Sequence, residues 1–194
     1  MKIALIGDSI LDNDEYTGVD ACVFTKVKQK LPEAVVVNFA EDGATTLDIN
    51  EQLEKIKTKP AKWDYVFLSI GGNDLLESQE LLLLANTEQK QKMIESICIR
   101  VSEIYTMLQT DFNKVILLTP YLPVFDGIDK ESVLQAHQVI KTFNEKLKGI
   151  PNVRYEELHP ILNSKEDFIN HIEPSEIGSE KIAALIEQVV IKNR

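Results

Sequence analysis

The sequence predicts an α/β fold in which a five-stranded parallel sheet is covered by helices on both faces. Three observations support this prediction: five short apolar segments recur, patterns with helical spacing separate them, and irregular stretches follow the strand ends. The apolar segments are residues 2–6, 34–39, 65–70, 114–118 and 153–157. They are rich in Val, Ile and Leu and mostly lack alternation, as expected for strands that are buried on both faces.

Five helical patterns accompany these strands, and proline or glycine follows three of them. The first two patterns, residues 19–31 and 47–59, stop at Pro32 and Pro60. The next two are residues 87–109 and 132–148, the latter followed by Gly149, and the last is residues 175–191. This alternation favours a parallel sheet with right-handed crossovers. At 194 residues the chain is expected to form one domain, residues 1–194.

The composition is that of an ordinary globular protein and argues against polyanionic partners. Hydrophobic residues make up 44% of the chain, and 31 acidic residues against 21 basic ones leave a net charge of −10. Phosphate backbones are bound by clustered Lys and Arg. Nucleic acid and anionic membrane surfaces are therefore not expected as partners. No apolar run approaches the roughly 20 residues that are needed to span a bilayer, so membrane insertion is not expected either.

Compartment and cofactor expectations rest on the start of the chain and on its few Cys and His residues. The first strand begins at Lys2, which leaves no room before it for a secretory signal. Cys22 and Cys98 lack metal-ligand spacing, and the three His residues are scattered. We therefore expect a cytoplasmic protein that binds no metal and no cofactor.

A serine stands at the end of the first strand, where an open parallel sheet builds its binding sites. This strand ends in Gly7-Asp8-Ser9, the second is followed by Gly43, and the third ends in Gly71-Gly72-Asn73-Asp74. A serine nucleophile needs donors directed at the oxygen that becomes negative in the tetrahedral intermediate. The Gly43 N–H, expected to lead into a helix, and the Asn73 amide are candidate donors. A helix cap at Ser9 and plain turns at the glycines are the alternatives.

These strand-end segments resemble the sequence blocks of the GDSL/SGNH hydrolase family of serine esterases, lipases and acylhydrolases. Gly7-Asp8-Ser9-Ile10 matches the first block, with Ile in place of the usual Leu. Gly43 matches the second block and Gly71-x-Asn73-Asp74 the third. The resemblance implies a flavodoxin-like, three-layer α/β/α fold with strand order 2-1-3-4-5. It also implies that Ser9 is the nucleophile, with the Ser9 N–H, the Gly43 N–H and the Asn73 amide as the oxyanion hole.

The last block departs from the family pattern. The family has Asp-x-x-His-Pro before the final helix, and these two residues supply the catalytic base and the acid that orients it. This chain has Asn170-His171-Ile172-Glu173-Pro174 instead. When the segments are aligned on Pro174, Glu173 takes the histidine position and Asn170 the aspartate position. The expected dyad is therefore absent in register.

Several interpretations of this departure stay open. His171 is a candidate base, displaced by two positions and oriented by Asp167, since an imidazole with a pKa of about 6.5 suits the role. Glu173 is a second candidate, although a carboxylate starts about two pKa units lower unless burial raises it. His159, after the fifth strand, is a further one. Alternatively, the chain keeps the pocket and has lost rapid hydrolysis.

The leading functional prediction is hydrolysis of a carboxylic ester through an acyl-enzyme at Ser9. A small or medium ester is expected if Leu75, Leu76 and residues 81–84 and 121–125 form an apolar wall near the strand ends; the alternative is that these leucines belong to the core. The alternative from another class is a weak or inactive binding protein that retains the pocket. A nucleotide or flavin binder also fits the sheet, but neither glycine cluster completes a phosphate-binding motif.

Overall fold

A five-stranded parallel sheet forms the centre of the fold. The computed structural model describes residues 1–59, 62–78, 82, 85–112, 114–124 and 129–193. The strands are β1 (Lys2–Gly7), β2 (Val35–Asn38), β3 (Tyr65–Ser69), β4 (Val115–Thr119) and β5 (Tyr155–Glu157). Their order, β2-β1-β3-β4-β5, confirms the predicted order. β1 pairs in parallel with β2 on one side and with β3 on the other.

Helices follow or separate these strands, and a small hairpin precedes the last helix. The helices are α1 (Asp14–Thr17), α2 (Val23–Lys30), α3 (Ile49–Thr58), α4 (Gly72–Glu77), α5 (Thr87–Asp111), α6 (Lys130–Lys148) and α7 (Glu176–Lys192). The hairpin strands are β6 (Phe168–Ile169) and β7 (Glu173–Pro174), which pair antiparallel after a 3₁₀ turn at Lys165–Asp167.

The sheet divides the core into two layers because successive strand residues face opposite sides. Ile3 and Leu5 of β1 are buried in the layer that contains α2 and α7. Ala4 and Ile6 are buried in the layer that contains α3, α5 and α6. The continuous apolar character of the strands is thus explained by helices on both faces.

The structure differs from the sequence predictions at the small elements and at several element ends. α2 begins at Val23 rather than at residue 19, and β5 begins at Tyr155 rather than at residue 153. Gly43 does not lead directly into a helix, since α3 begins at Ile49 and Gly43 lies in a turn with a φ of +74°. α1, α4 and the β6–β7 hairpin lie in segments without an apolar run or a helical pattern, since a two-residue strand and a helix of one or two turns are too short to produce one.

Candidate active site

Ser9 follows a point at which the backbones of β1 and β3 touch. Gly7 has a φ of +133°, and a Cβ on it would lie 1.7 Å from the carbonyl oxygen of Ser69. The Asp8 N–H donates to the same oxygen over 3.0 Å. The side chain of Gln52 from α3 binds the N–H and the carbonyl oxygen of Gly7, each over 2.8 Å. Only glycine fits this position, so the turn that presents Ser9 depends on it.

Glu173 faces Ser9 across the carboxyl edge of the sheet. The Ser9 hydroxyl donates to Oε1 of Glu173 over 3.2 Å. Both residues are buried, with 7% of Ser9 and 8% of Glu173 exposed. Glu173 is the first residue of β7, so the hairpin carries this carboxylate to the nucleophile candidate. The contact matches the arrangement of a hydroxyl and a base within hydrogen-bond reach.

Two side chains from other elements hold the hairpin against the sheet. Nδ2 of Asn13 donates to the carbonyl oxygen of Pro174 over 3.0 Å and to the Ser179 hydroxyl over 2.8 Å. The Tyr121 hydroxyl donates to the carbonyl oxygen of Ile172. These bonds bracket Glu173 on both sides in sequence. They therefore determine where its carboxylate lies relative to Ser9.

Burial perturbs the Glu173 carboxylate. Desolvation raises the pKa of Glu173 above its ordinary value, the bond from Ser9 lowers it, and the charge of Asp42 raises it again. Oε2 of Glu173 is buried and has no hydrogen-bond partner among the described residues. No ion pair joins this carboxylate to a cation of the described part of the chain. A carboxylate with a raised pKa is a stronger proton acceptor than an ordinary one.

Asp8 is a second buried carboxyl group beside Ser9. Its Oδ1 accepts from the Ser69 hydroxyl over 2.8 Å and from the Ile10 N–H over 3.2 Å. Burial raises the pKa of Asp8 to about 7, the two hydrogen bonds lower it, and the charge of Glu173 raises it. The sequence analysis treated Asp8 only as part of a motif. Its unusual environment comes from contacts with β3 and β7 that are distant in sequence.

The three predicted oxyanion donors come from three segments of the chain: Ser9 after β1, Gly43 in the turn after β2, and Asn73 on α4. Nδ2 of Asn73 donates to the carbonyl oxygen of Ala44 over 3.0 Å, which joins α4 to the segment after β2. One hydrogen of this amide group is left for another acceptor. The space that a Cβ of Gly43 would occupy is open, and the N–H groups of Ser9 and Gly43 have no acceptor within the described residues. Ser9 and Asn73 line the cavity described below, whereas Gly43 does not.

Asp74, the last residue of the third block, has a structural role. Its carboxylate accepts from the Thr46 N–H over 2.9 Å and from the Thr46 hydroxyl over 2.5 Å. Arg100 of α5 donates to Asp74 over 2.9 Å and to the Thr46 hydroxyl over 2.6 Å. This network ties α4, which carries Asn73, and the segment after Gly43 to α5. It stabilises the site without facing Ser9.

The histidine candidates lie elsewhere. His171 is exposed and has a φ of +72° in the turn of the β6–β7 hairpin, next to Asn170, which is also exposed. His159 is half-buried, and burial together with the nearby charges of Lys141 and His137 lowers its pKa. Among the described residues, neither His171 nor His159 lines the cavity beside Ser9.

Asp167, the predicted partner of His171, is engaged in another interaction. It is fully buried, and its carboxylate accepts from the N–H groups of Asn163 and Ser164, each over 3.0 Å. Lys181 of α7 lies 2.7 Å from its Oδ1. Through these contacts the Asp167 carboxylate supports the loop before the hairpin.

A largely apolar cavity of about 400 Å³ opens beside Ser9 and Glu173. Leu75 and Leu76 of α4, Leu82, Tyr121 and Pro123 line it, as expected from the sequence. Leu122 and Val124 do not line it. Residues 81, 83, 84 and 125 of the predicted wall lie outside the described residues. The first half of α6 also lines the cavity, and this contribution was not predicted from the sequence.

Two contributions to the site that were not predicted nevertheless left a signal in the sequence, namely Gln52 and the apolar face of α6. Gln52 lies on the apolar stripe of α3 with Ile49, Leu53 and Ile56, where a polar side chain needs a buried partner. On α6 the apolar pattern continues through Val133, Ala136, Val139 and Ile140, although full burial begins only at Phe143. A helix face that is apolar but incompletely buried borders a cavity here. Asn13 and Arg100 carried no comparable signal, because their partners are distant in the chain.

The described residues include no helix suited to crossing a membrane and no cluster of metal-ligating side chains. None of their helices combines the length and the apolarity that crossing a membrane requires. They also contain no cluster of three or more His, Cys, Asp or Glu side chains arranged to hold a metal ion.

Comparison with known proteins identifies the family. The model of the GDSL-like lipase/acylhydrolase family matches residues 5–171, which ends two residues before Glu173. No curated protein matches the chain. Similar solved structures include the lipase Lip_vut3 from a goat rumen metagenome, with 22% identity and a TM-score of 0.73 over 97% of this chain and 96% of that one.

Two other solved structures share the fold. A member of the lipolytic G-D-S-L family from Veillonella parvula has 15% identity and a TM-score of 0.72, covering 100% of this chain and 99% of that one. The acetylxylan esterase Axe2 from Geobacillus stearothermophilus has 20% identity and a TM-score of 0.64, covering 96% and 93%. The chain therefore belongs to the GDSL-like lipase/acylhydrolase family, and its general class of activity is carboxylic ester hydrolysis.

Proposed function

We propose that this protein hydrolyses carboxylic esters with Ser9 as nucleophile and Glu173 as general base. The observation that carries the proposal is the 3.2 Å hydrogen bond from the Ser9 hydroxyl to the buried Glu173 carboxylate. His171, the alternative base, is exposed in the hairpin turn. In this proposal the carboxylate of Glu173, directly before Pro174, acts in place of the imidazole that the family has at this position.

The proposed reaction proceeds in two halves. The Ser9 Oγ attacks the ester carbonyl carbon while its proton passes to Glu173. The tetrahedral intermediate collapses, the bond to the alcohol oxygen breaks, and protonated Glu173 returns the proton to the leaving alcohol. Water then attacks the acyl-enzyme, Glu173 accepts its proton, and the acid product leaves as the proton returns to Ser9.

The N–H groups of Ser9 and Gly43 and the Asn73 amide stabilise the oxyanion in this proposal. Support comes from the loop geometry: the Asn73 amide spans to the loop of Gly43, and the two backbone N–H groups lack acceptors within the described residues. One such donor contributes about 3 kcal/mol to the transition state. The carboxylate base accepts a proton less readily than imidazole, and its raised pKa offsets part of that difference.

Fluorophosphonate labelling at neutral pH tests the assignment of the nucleophile and the base. We expect wild type to be labelled and Ser9→Ala not to be labelled, since the probe bonds to an activated serine oxygen. Glu173→Gln should be labelled far more slowly, while His171→Ala, changed in the same hairpin, should match wild type. Equal labelling of wild type and Ser9→Ala would instead identify a binding protein that retains the pocket. Loss of labelling in His171→Ala alone would identify His171 as the base.

A further inference from the structure

We propose that the cavity beside Ser9 binds a straight, uncharged acyl chain of medium length, and that Ala136 on α6 limits this length. The inference rests on the proposed function, because it names the acyl group that the Ser9 site transfers. It is argued from the chemistry and the volume of this cavity. The α6 wall of the cavity contains none of the short sequence blocks that resemble the family.

The walls away from Ser9 and Glu173 are mainly hydrocarbon. Leu75 and Leu76 of α4 and Leu82 form one part of the wall. On α6, the apolar side chains Val133, Ala136, Val139 and Ile140 line the cavity at helical spacing, and the polar residues of this part of the lining are Ser132 and Gln135 on α6 and Lys90 on α5. Leu76 is 40% exposed although it lines the cavity. An alkyl chain would remove this apolar surface from water, whereas a sugar hydroxyl placed against the apolar part of these walls would lose its hydrogen bonds.

The volume is far larger than an acetyl group needs. One water molecule occupies roughly 30 Å³ of liquid, so a cavity of about 400 Å³ has room for many more atoms than the two carbons of an acetyl group. The ester group and the open mouth of the cavity take part of this space. We therefore assign it an acyl chain of about six to ten carbons.

The charges beside Ser9 favour a neutral chain over a free acid. Glu173 and Asp8 are both buried carboxyl groups that line the cavity with Ser9; no ion pair among the described residues joins a cation to either, and Lys90 is the cationic side chain of the described lining. An ester or an amide carries no charge there. The carboxylate product adds a negative charge beside Glu173, and this repulsion promotes its release.

Ala136 is the small side chain of the α6 wall. It lies half-buried between Val133 and Val139 in sequence, one turn from each, and all three line the cavity. A phenylalanine at this position would extend into the space that the chain occupies. Leu134 lies on the same helix but is 69% exposed and does not line the cavity, so Leu134→Phe is a matched control.

The first test measures kcat/KM of wild type for p-nitrophenyl esters from C2 to C16. One buried methylene contributes about fourfold, so we expect a rise of at least about 10²-fold from C2 to C8 and a fall beyond C10. Ala136→Phe should move the optimum to shorter chains by two carbons or more, and Leu134→Phe should keep the wild-type profile. An optimum at C2 with Ser9-dependent turnover would overturn the inference and leave the proposed function intact.

The second test does not depend on catalysis. Titration calorimetry on Ser9→Ala uses neutral amides from acetamide to decanamide, which the variant cannot turn over. We expect affinity to increase with each methylene up to about ten carbons, and adding Ala136→Phe to weaken decanamide binding by at least about tenfold. Length-independent binding, or equal weakening by Leu134→Phe, would overturn the inference. Amide binding without any ester turnover would refute the proposed function while supporting the acyl cavity. Thermal unfolding and the milder Ala136→Leu distinguish a blocked cavity from a misfolded variant.

Discussion

Two pairs of buried carboxyl groups in this protein have opposite electrostatic surroundings. Asp74 and Asp167, which support loops, each have a cation against them: Arg100 at 2.9 Å and Lys181 at 2.7 Å. Asp8 and Glu173, which lie beside Ser9, have no such partner among the described residues. The difference indicates that the carboxyl groups that support loops have a cation beside them, whereas the carboxyl groups at the site do not.

The physical consequence is a difference in proton affinity. A buried carboxylate without a cation is desolvated, so its neutral form is favoured and its pKa rises. This occurs at Asp8 and Glu173, whose pKa values are both raised mainly by burial. Perturbed carboxyl groups in a cleft are typical of functional sites. The following predictions test whether the unpaired carboxyl groups serve chemistry and the paired ones serve stability.

The largest effect is expected from Glu173→Gln. The amide cannot accept the Ser9 proton, so kcat/KM for a C8 p-nitrophenyl ester should fall by about 10³-fold. The variant should unfold at no lower temperature than wild type at pH 8, because it removes an unpaired buried charge. His171→Ala, in the same hairpin, should change kcat/KM less than about threefold. Equal losses in the two variants would contradict the assignment of the base.

Asp8→Asn should change the pH dependence of stability. The pKa of Asp8 rises from 3.8 to about 7 on folding, so between these values the folded chain binds a proton that the unfolded chain has released. Stability therefore falls as pH rises through this window, and the variant escapes this loss. Its free energy of unfolding relative to wild type should increase by about 2 to 3 kcal/mol from pH 5 to pH 8.

Urea denaturation at both pH values measures this difference. The control, Asp74→Asn, removes a carboxylate that is paired with Arg100, and it should lower stability at pH 8. A constant difference between Asp8→Asn and wild type across the window would contradict the interpretation of Asp8 as an unpaired buried carboxyl group.

Removal of a partner cation should convert a paired carboxylate into an unpaired one. Lys181→Met leaves Asp167 buried without its ammonium group, and we expect a loss of about 2 kcal/mol in the free energy of unfolding. This is less than a fully buried pair would lose, because the Lys181 side chain is 37% exposed. Lys26→Met removes the pair with exposed Glu176 and should cost less than about 1 kcal/mol. Urea unfolding measures the free energy of unfolding of both variants. Equal losses would contradict the distinction between a buried and an exposed paired carboxylate.

The smallest effect is expected from Asp42→Asn. The charge of Asp42 raises the pKa of Glu173, and activity requires the deprotonated carboxylate. The acid limb of the pH profile of kcat/KM should therefore lie at lower pH in the variant than in wild type. Glu41→Gln, which changes the adjacent carboxylate that pairs with Lys55, should leave the limb in place. A shift to higher pH would contradict the electrostatic argument.

The long elements could be predicted because their signal is local. Continuous apolar runs indicated the β strands, and helical spacing indicated α3, α5, α6 and α7, with errors mainly at the ends. The β6–β7 hairpin could not be predicted, since two-residue strands have no periodicity. The contacts of Asn13 with Pro174 and of Arg100 with Asp74 are likewise non-local, and nothing in the adjacent sequence indicates them.

The sequence by itself determined the sheet order through its family resemblance, the positions of Ser9, Gly43 and Asn73 at the strand ends, and the departure from the family pattern before Pro174. It left open whether His171 or Glu173 faces the serine, because only Ile172 separates them and no local pattern orients a short loop. The tertiary structure decided their placement. In the hairpin, His171 lies in the exposed turn, and Glu173 on β7 is buried against Ser9 by the bonds of Asn13 and Tyr121 to its neighbours. The electrostatic character of the site was also decided there, since only folding removes Asp8 and Glu173 from water while leaving them without a cation among the described residues.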